Sequence, residues 1–217
     1  MRSFRAAEAA FPCGVRKCIN GVYVGENWPA FISKLVRRGA PVDAIGHQMH
    51  IFTESDVMKV AAGEEARPNL LSWDVAYQTA MLKRYDEIGL PVHVSEITIP
   101  APVTKMPRDE AEALQATLLR DNYRLWFSWP SVYRITYWNL VDGMGHEILE
   151  SGLLRNDMSK KPAYHALWRL VNEEWRTRTR VAAVVGGKVR FRGFRGRYRL
   201  GWKDAEGQRR FVEVSLK

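Results

Sequence analysis

Short runs of strand-like alternation and longer segments of helical periodicity follow one another along residues 1–175. In a strand every second side chain lies on the same face, whereas in a helix apolar residues recur every three or four positions. By this criterion helices are predicted over 2–10, 31–39, 73–89, 109–127 and 162–175. Strands are predicted over 15–19, 42–52, 92–99 and 132–141. The pattern therefore predicts one helix followed by four strand-then-helix units.

The order of these elements predicts an α/β fold with a parallel sheet, because a helix between two strands returns the chain to the same end of the sheet. A complete (β/α)8 barrel takes about 250 residues and eight such units, and the pattern supplies half of them. No glycine-rich phosphate-binding motif follows any predicted strand, so the sequence gives no support for nucleotide binding.

Composition excludes two classes of protein. No run of about 18 apolar residues is present, so the sequence predicts no transmembrane helix. Two cysteines, Cys13 and Cys18, are too few for a disulfide-stabilised scaffold of 217 residues. The N-terminal residues lack the apolar stretch of a secretory signal, and both the pairing of the cysteines and the compartment stay open.

Charge is distributed unevenly and divides the chain in two. Within a net charge of +9, residues 176–217 hold 13 Lys and Arg against 3 Asp and Glu, while residues 1–175 hold 20 against 21. The body is nearly neutral, so the overall positive charge does not by itself indicate a nucleic-acid-binding protein. We predict a body domain over 1–175 and a basic, β-rich extension over 176–217.

The extension is predicted to form a small antiparallel sheet of two to three strands. Apolar residues alternate with arginines in GKVRFRGFRGRYRLGW, and after the turn-like KDAEGQ a further strand pattern follows in RRFVEVSLK. Such a sheet has an apolar face and an arginine-rich face. RGFRGRYR also resembles an RNA-recognition strand, but Arg195 stands where Gly or Ala is expected. A solvated arginine face, carbohydrate binding and packing on the body remain the favoured alternatives.

Polar residues inside otherwise apolar strands are candidates for chemistry. In GHQMHI, Gln48 and His50 share one face, whereas His47 and His50 lie on opposite faces and do not form a metal-binding pair. Glu96 lies in the apolar strand VHVSEITI, where an unpaired carboxylate costs on the order of several kcal/mol. Trp138, in ITYWNLVDG, is a further candidate. Each of these residues also has a structural interpretation: His50 as a hydrogen-bonded histidine, Glu96 as an ion-paired carboxylate and Trp138 as a core aromatic.

Four longer segments resemble consecutive motifs of glycoside hydrolase family 10, the retaining endo-β-1,4-xylanases that fold as a (β/α)8 barrel. In order they resemble its sixth, seventh and eighth strands and its last helix: GAPVDAIGHQMHIF, LPVHVSEITIP, RITYWNLVDG and GLLRNDMSKKPAYHALWRLVNEEW. KCINGVYVGENW resembles the fifth strand. The resemblance covers residues 5–175 and implies the C-terminal half of a TIM barrel, followed by a short β extension such as some bacterial members carry.

The resemblance assigns a role to each matching position. Glu96 matches the nucleophile after the seventh strand. Gln48 and His50 match the polar pair that binds the sugar at the cleavage point and orients the nucleophile. Trp138 matches an aromatic floor under that sugar, and Asn20 matches the family's asparagine on the fifth strand, a substrate-binding position.

Three positions depart from the family pattern. Ser95 replaces the usual Thr before the nucleophile, and Thr98 stands where many members have Asp. No tryptophan follows Asp142 at the place of the second aromatic residue, where His146 roughly falls. The resemblance therefore implies that the aglycone side of the site differs.

The family's acid/base glutamate, in an Asn-Glu pair at the end of the fourth strand, has no counterpart in the chain. Retaining hydrolysis needs two carboxyl groups about 5–5.5 Å apart. The one Asn-Glu pair, Asn172-Glu173, lies in the predicted last helix and is expected to face solvent. Glu26 and Glu147 lie in predicted loops, and nothing marks either as the acid.

The resemblance thus implies a glycoside hydrolase that cleaves β-1,4-linked xylan with retention and needs no metal or organic cofactor, with the acid/base half missing from this chain. The alternative is a non-catalytic fragment or a carbohydrate-binding remnant of such an enzyme. The expected partner is a β-1,4-linked polysaccharide or oligosaccharide, not nucleic acid or a membrane. Four parallel strands of a barrel leave two open edges, so self-association is expected as well.

Overall fold

The structure, a computed structural model, describes residues 2–11, 13–21, 27–64, 73, 75–144, 150–182 and 186–216. The chain forms two compact units, Met1–Leu167 and Trp168–Lys217. This division falls before residue 175, and the domain boundary placed there from the sequence stays a prediction.

Within the described residues of the first unit, four strands form one parallel sheet in the order β1-β2-β3-β4. They are β1 (Cys18–Gly21), β2 (Ala44–His50), β3 (Val92–Thr98) and β4 (Val132–Ile135). The helices are α1 (Arg2–Ala10), α2 (Asn27–Arg37), α3 (Glu54–Ala61), α4 (Val75–Ile88), α5 (Arg108–Ser128) and α6 (Pro162–Arg169), with a π-helical turn, Leu170–Glu174, after α6. Of the helices in the described part of the chain, none is both long and apolar enough to cross a membrane. The predicted α/β class with a parallel sheet is confirmed.

Apolar strand residues and satisfied polar groups share the core of this unit. Ile45 of β2 and Val94 and Ile97 of β3 are fully buried. Between the two longest helices, Gln78 of α4 accepts a hydrogen bond from the indole nitrogen of Trp126 at 2.7 Å, and both side chains are buried. Burial of large side chains supplies most of the stabilising free energy, and the buried hydrogen bond avoids the cost of an unpaired amide. This core holds the carboxyl ends of the strands in place.

Helix α3 is an element that the sequence analysis did not predict. Thr53 caps its N-terminus: the hydroxyl oxygen accepts from the backbone N–H of Asp56 at 3.1 Å, and the hydroxyl donates to the Asp56 carboxylate at 2.8 Å. A Thr followed three residues later by an acidic residue is a helix-start signal of the capping-box type. The signal was therefore present in the sequence, in the short segment that the apolar periodicity does not mark.

The second unit contains an antiparallel hairpin of β5 (Gly196–Lys203) and β6 (Arg209–Leu216). In its turn, Asp204 Oδ1 accepts from the backbone N–H of Gln208 at 2.7 Å, and Gly207 takes a positive φ of 79° that favours glycine. The predicted small antiparallel sheet is confirmed. Residues 187–195, which the alternation includes in the strand pattern, form no strand.

Candidate active site

The carboxylate of Glu96, on β3, is the centre of a hydrogen-bonded cluster near the carboxyl ends of β1, β2 and β3. Asn20 Nδ2 and Gln48 Nε2 each donate to Glu96 Oε1 at 2.9 Å, and His50 Nε2 lies 3.3 Å from Oε2. The Glu96 side chain is 17% exposed, so it faces both these donors and solvent. Three residues singled out from the sequence therefore contact the carboxylate of a fourth, Glu96. Their hydrogen bonds offset the free-energy cost of placing its charge in an apolar strand.

A β-bulge in β3 allows two successive side chains to face the same cluster. His47 pairs with Val94 and Gln48 pairs with Glu96, so Ser95 has no partner in β2. The Ser95 hydroxyl donates to Asn20 Oδ1 at 2.8 Å, while the amide of the same asparagine donates to Glu96. A bulge breaks the two-residue alternation of a strand and redirects its side chains. Ser95, which stands where the family usually has Thr, thus keeps a hydroxyl that orients Asn20.

Gly46 provides the space through which Asn20 reaches Glu96. The two residues are partners in the β1–β2 pairing. A Cβ added to Gly46 would lie 2.7 Å from Asn20 Oδ1 and 3.0 Å from its Cβ, closer than such atoms approach in proteins. The asparagine side chain therefore crosses over β2 at the one residue without a side chain. The sequence alone does not reveal this positioning role, because it depends on the register between strands.

His50 is held on both ring nitrogens. Nδ1 lies 2.8 Å from the Thr98 hydroxyl, and Nε2 faces Glu96. Burial lowers the pKa of His50, and the Glu96 carboxylate acts in the opposite direction, so the ring is uncharged at neutral pH. An ionised carboxylate only accepts hydrogen bonds, so the single ring hydrogen lies on Nε2 and Thr98 donates to Nδ1. Thr98 therefore holds the ring by a hydrogen bond from a neutral hydroxyl. It stands where many members of glycoside hydrolase family 10 have Asp.

Trp138 lies beside this cluster with its indole largely open to solvent. β4 ends at Ile135, short of the predicted 141, yet the Trp138 backbone N–H donates to the carbonyl of Ile97 at 2.9 Å and keeps the chain alongside β3. The indole is 57% exposed, and its ring centroid lies 6.2 Å from that of His50 in an edge-on arrangement. An exposed ring face offers a flat apolar surface on which the C–H face of a sugar can pack.

His47 lies outside the cluster, as the strand geometry predicts. Its side chain is buried, and its Nδ1 lies 2.9 Å from the hydroxyl of Tyr85 on α4. Complete burial lowers the pKa of His47 to about 4. This histidine links the sheet to α4 and does not take part in a metal-binding pair with His50.

The titration of His47 makes the stability of the fold depend on pH. The folded chain holds His47 uncharged down to about pH 4, whereas the unfolded chain protonates it near pH 6.5. The free energy of unfolding should therefore fall as the pH drops through this window, by about 3 kcal/mol in total. Urea unfolding between pH 7 and pH 4 would measure the effect. His47→Gln, which retains a polar side chain and does not titrate, should lose distinctly less stability over this range; equal losses would contradict the assignment.

A buried ion pair, which the sequence analysis did not anticipate, anchors the segment after β4. Lys161 is completely buried, and its Nζ lies 3.2 Å from Asp142 Oδ1 and 3.0 Å from the carbonyl oxygen of Glu150. Asp142 Oδ1 also accepts from the backbone N–H of Gly152 at 2.7 Å. Removal of either partner would leave a buried charge unpaired, which is strongly destabilising. The pair therefore helps to hold Asp142, four residues after Trp138, in place.

The other residues named from the sequence have separate locations. Glu173 is exposed, in the turn after α6, and Asn172 donates to the backbone carbonyl of Trp168 at 2.9 Å. His146, Glu26 and Glu147 lie outside the described residues.

One protein family and several solved structures are similar to this chain. The model of glycosyl hydrolase family 10 matches residues 1–170. Xylanase 10B from Thermotoga petrophila RKU-1, solved in complex with xylobiose, is similar with a TM-score of 0.61 and 22% identity over 80% of this chain and 51% of that one. Xylanase 10B from Thermotoga maritima gives 0.59 and 21% over the same shares.

A relative of a different kind is also similar. Anti-sigma-I factor RsgI6 from Acetivibrio thermocellus is 25% identical over 171 residues, which are 79% of this chain and 19% of that protein. The chain thus spans about half the length of these two xylanases and a smaller part of this relative. The four parallel strands are those of a partial TIM barrel, and by the match over residues 1–170 the chain belongs to glycosyl hydrolase family 10.

Proposed function

We propose that this chain forms the nucleophile-bearing half of a retaining β-glycosidase that acts on β-1,4-linked xylan. The observation that carries the proposal is the Glu96 carboxylate, which three N–H groups hold beside an exposed tryptophan at the carboxyl ends of parallel strands. That end of a β/α barrel is where active sites lie. The xylobiose complex of a similar xylanase supports xylan as the polymer.

In this mechanism Glu96 attacks the anomeric carbon and forms a covalent glycosyl–enzyme intermediate, as the glycosidic C–O bond breaks. Asn20, Gln48 and His50 keep the carboxylate in one orientation, because each occupies one of its lone pairs. In the proposed complex the same polar side chains contact the sugar's 2-hydroxyl, and Trp138 packs under the ring. Water then cleaves the intermediate on the face that the leaving group has vacated.

The leaving group needs a proton from a second carboxyl group about 5–5.5 Å from the nucleophile. The hydrogen-bond partners of the Glu96 carboxylate among the described residues are nitrogen donors, not a second carboxyl group. We propose that the acid/base glutamate is supplied from outside these 217 residues, by the half of the barrel that carries the first four strands.

A mechanism-based reagent tests the nucleophile without this acid. 2,4-Dinitrophenyl 2-deoxy-2-fluoro-β-xylobioside releases a leaving group that needs no protonation, and the fluorine slows hydrolysis of the glycosyl–enzyme. We expect the wild-type chain to gain the mass of one fluoroxylobiosyl group, located on Glu96 by peptide mass spectrometry. Glu96→Gln should gain none, and Glu110→Gln, at an exposed position on α5, should label like wild type. A label elsewhere, or none on a folded wild-type chain, would contradict the proposal.

The alternative, a carbohydrate-binding remnant without catalysis, is favoured by one observation: the chain spans about half of each of the two Thermotoga xylanases. The same experiment separates the two. A remnant would bind xylobiose, and Trp138→Ala would weaken that binding, but the reagent would leave Glu96 unmodified.

A further inference from the structure

The second unit contains a groove of about 820 Å³ along one edge of β5. Residues 198–203 line it in succession, on the edge opposite to the one that pairs with β6. The facing wall consists of Thr177, Arg178, Thr179, Val181, Val189 and Phe191. Sites of this volume, roughly 300–1,000 Å³, typically hold a small molecule or a few units of a polymer.

Three aromatic residues, Phe191, Tyr198 and Trp202, belong to the lining of the groove. The rings of Phe191 and Tyr198 lie 5.4 Å apart in a tilted arrangement, and Trp202 is 51% exposed. The Tyr198 hydroxyl lies 3.2 Å from Thr177 Oγ1, a contact that joins the two walls. An exposed tryptophan beside two half-buried rings in an open groove suits a linear ligand made of flat, partly apolar units, such as the pyranose rings of a polysaccharide.

The charge of the groove points to an anionic ligand. Its described lining contains three basic residues, Arg178, Arg199 and Lys203, and no acidic one. The Arg199 guanidinium lies 3.9 Å from the ring centroid of Phe211, a residue outside the lining, so Arg178 and Lys203 are the cations available to a ligand. The whole unit, residues 168–217, holds 14 Lys and Arg against 5 Asp and Glu, whereas residues 1–167 hold 19 of each.

The density of this charge separates two kinds of polyanion. Nucleic acid carries a phosphate at every nucleotide, and its binding sites concentrate Lys and Arg along the backbone path. Here 3 of the 14 basic residues of the unit line the groove, whereas the denser cluster of Arg176, Arg195 and Arg197 lines a neighbouring cavity. Sparse cations among aromatic rings match a polymer of mostly neutral sugars with occasional carboxylates.

We propose that this groove binds an acidic polysaccharide, a xylan that bears uronic-acid side groups. Phe191, Tyr198 and Trp202 pack against the sugar rings, and Arg178 and Lys203 hold the carboxylates. The inference rests on the proposed function only for the choice of xylan as the polymer; the groove binds through the second unit alone, without Glu96.

Binding to a matched pair of polymers tests the proposal with the full 217-residue chain. The probes are 4-O-methylglucuronoxylan and the same polymer after reduction of its carboxyl groups, compared by isothermal titration calorimetry at 0.15 M salt. We expect at least about tenfold tighter binding of the acidic form, with an affinity that falls as salt rises. Trp202→Ala and Arg178→Ala should each weaken it about tenfold, the loss typical of a central aromatic contact or a charge-assisted hydrogen bond.

Two substitutions outside the groove serve as matched controls. Phe211→Ala removes another exposed aromatic ring of the hairpin, and Arg209→Ala removes the same charge as Arg178→Ala. Phe211 and Arg209 do not line the groove. Both should bind the acidic polymer like wild type. Measuring the groove variants in a Trp138→Ala background removes the sugar contact of the candidate active site from the signal.

Three outcomes would overturn the inference. Equal affinity for the acidic and the reduced polymer would remove the role of charge. Equal weakening by Arg178→Ala and Arg209→Ala would mean that net charge, and not the groove, attracts the ligand. Tighter binding of a single-stranded RNA than of glucuronoxylan at the same salt would reassign the groove to nucleic acid.

Discussion

Glu96→Gln should reduce turnover of xylan by about 10⁴-fold or more in any form of the enzyme that also supplies the acid/base carboxyl. The amide occupies nearly the same volume as the carboxylate but cannot form the glycosyl–enzyme bond. Trp138, Gln48 and His50 remain in place, so the dissociation constant for xylobiose should change by no more than about threefold. Steady-state kinetics on soluble xylan and calorimetry with xylobiose measure the two effects, with Glu110→Gln as the matched control.

Rescue by azide identifies the role of the missing carboxylate by stereochemistry. In Glu96→Ala, azide can enter the vacated space and attack the anomeric carbon of 2,4-dinitrophenyl β-xylobioside as the bond to dinitrophenolate breaks. This single displacement inverts the centre, so the product should be α-xylobiosyl azide, visible in the anomeric coupling constant by NMR. A β-azide product would mean that Glu96 is the acid/base and that another group attacks. Near-normal turnover in Glu96→Gln would remove it from both roles.

The 217 residues alone should not hydrolyse xylan at a useful rate. Positioned proton transfer to the leaving group typically contributes 10²–10⁴-fold, and the carboxyl that provides it is proposed to lie outside this chain. In the described sheet, β1 and β4 are edge strands whose outer backbone groups are open to pairing with another chain. We therefore expect self-association in size-exclusion chromatography with light scattering, and xylan hydrolysis once a barrel half that bears the acid/base glutamate is added.

The two halves of this expectation have separate controls. The dinitrophenyl reagent, which needs no acid, should still label Glu96 in the isolated chain, and this shows that a lack of xylan hydrolysis does not come from unfolding. A monodisperse, monomeric preparation that cleaves xylo-oligosaccharides with retention would contradict the expectation. It would mean that the acid lies within this sequence, with Glu26 and Glu147 as the first candidates to replace.

The parts of the fold that the sequence predicts are those with a local cause. Val92 and Val94 alternate before Ser95, and Ile97 and Ile99 alternate after Glu96, so the strand is evident from its period. The buried positions change from even-numbered (Val92, Val94) to odd-numbered (Ile97, Ile99), and this change marks the bulge in the sequence. Helix α3 is eight residues long, and its cap at Thr53 is a clearer signal than its apolar spacing.

The contacts within the site depend on register, which the sequence of one chain does not reveal. Asn20 and Glu96 are 76 positions apart, and their hydrogen bond requires β1, β2 and β3 to align with Gly46 between them. The family resemblance places the residue types at these strands, but only the pairing explains why a glycine and a serine belong to the site. The segment 187–195 shows the opposite error, because its alternation predicts a strand and these described residues form none.

Asn20 belongs to an edge strand, yet its side chain crosses β2 and holds the Glu96 carboxylate two strands away. The docking of β1 onto the sheet and the orientation of the Glu96 carboxylate are therefore thermodynamically linked. A glycan bound at Glu96 should hold β1 more tightly in place, and by the reciprocity of linked equilibria whatever secures β1 should improve glycan binding by the same factor. A barrel half that pairs along β1 would then contribute order to the nucleophile as well as an acid, so assembly itself would act as the switch for activity.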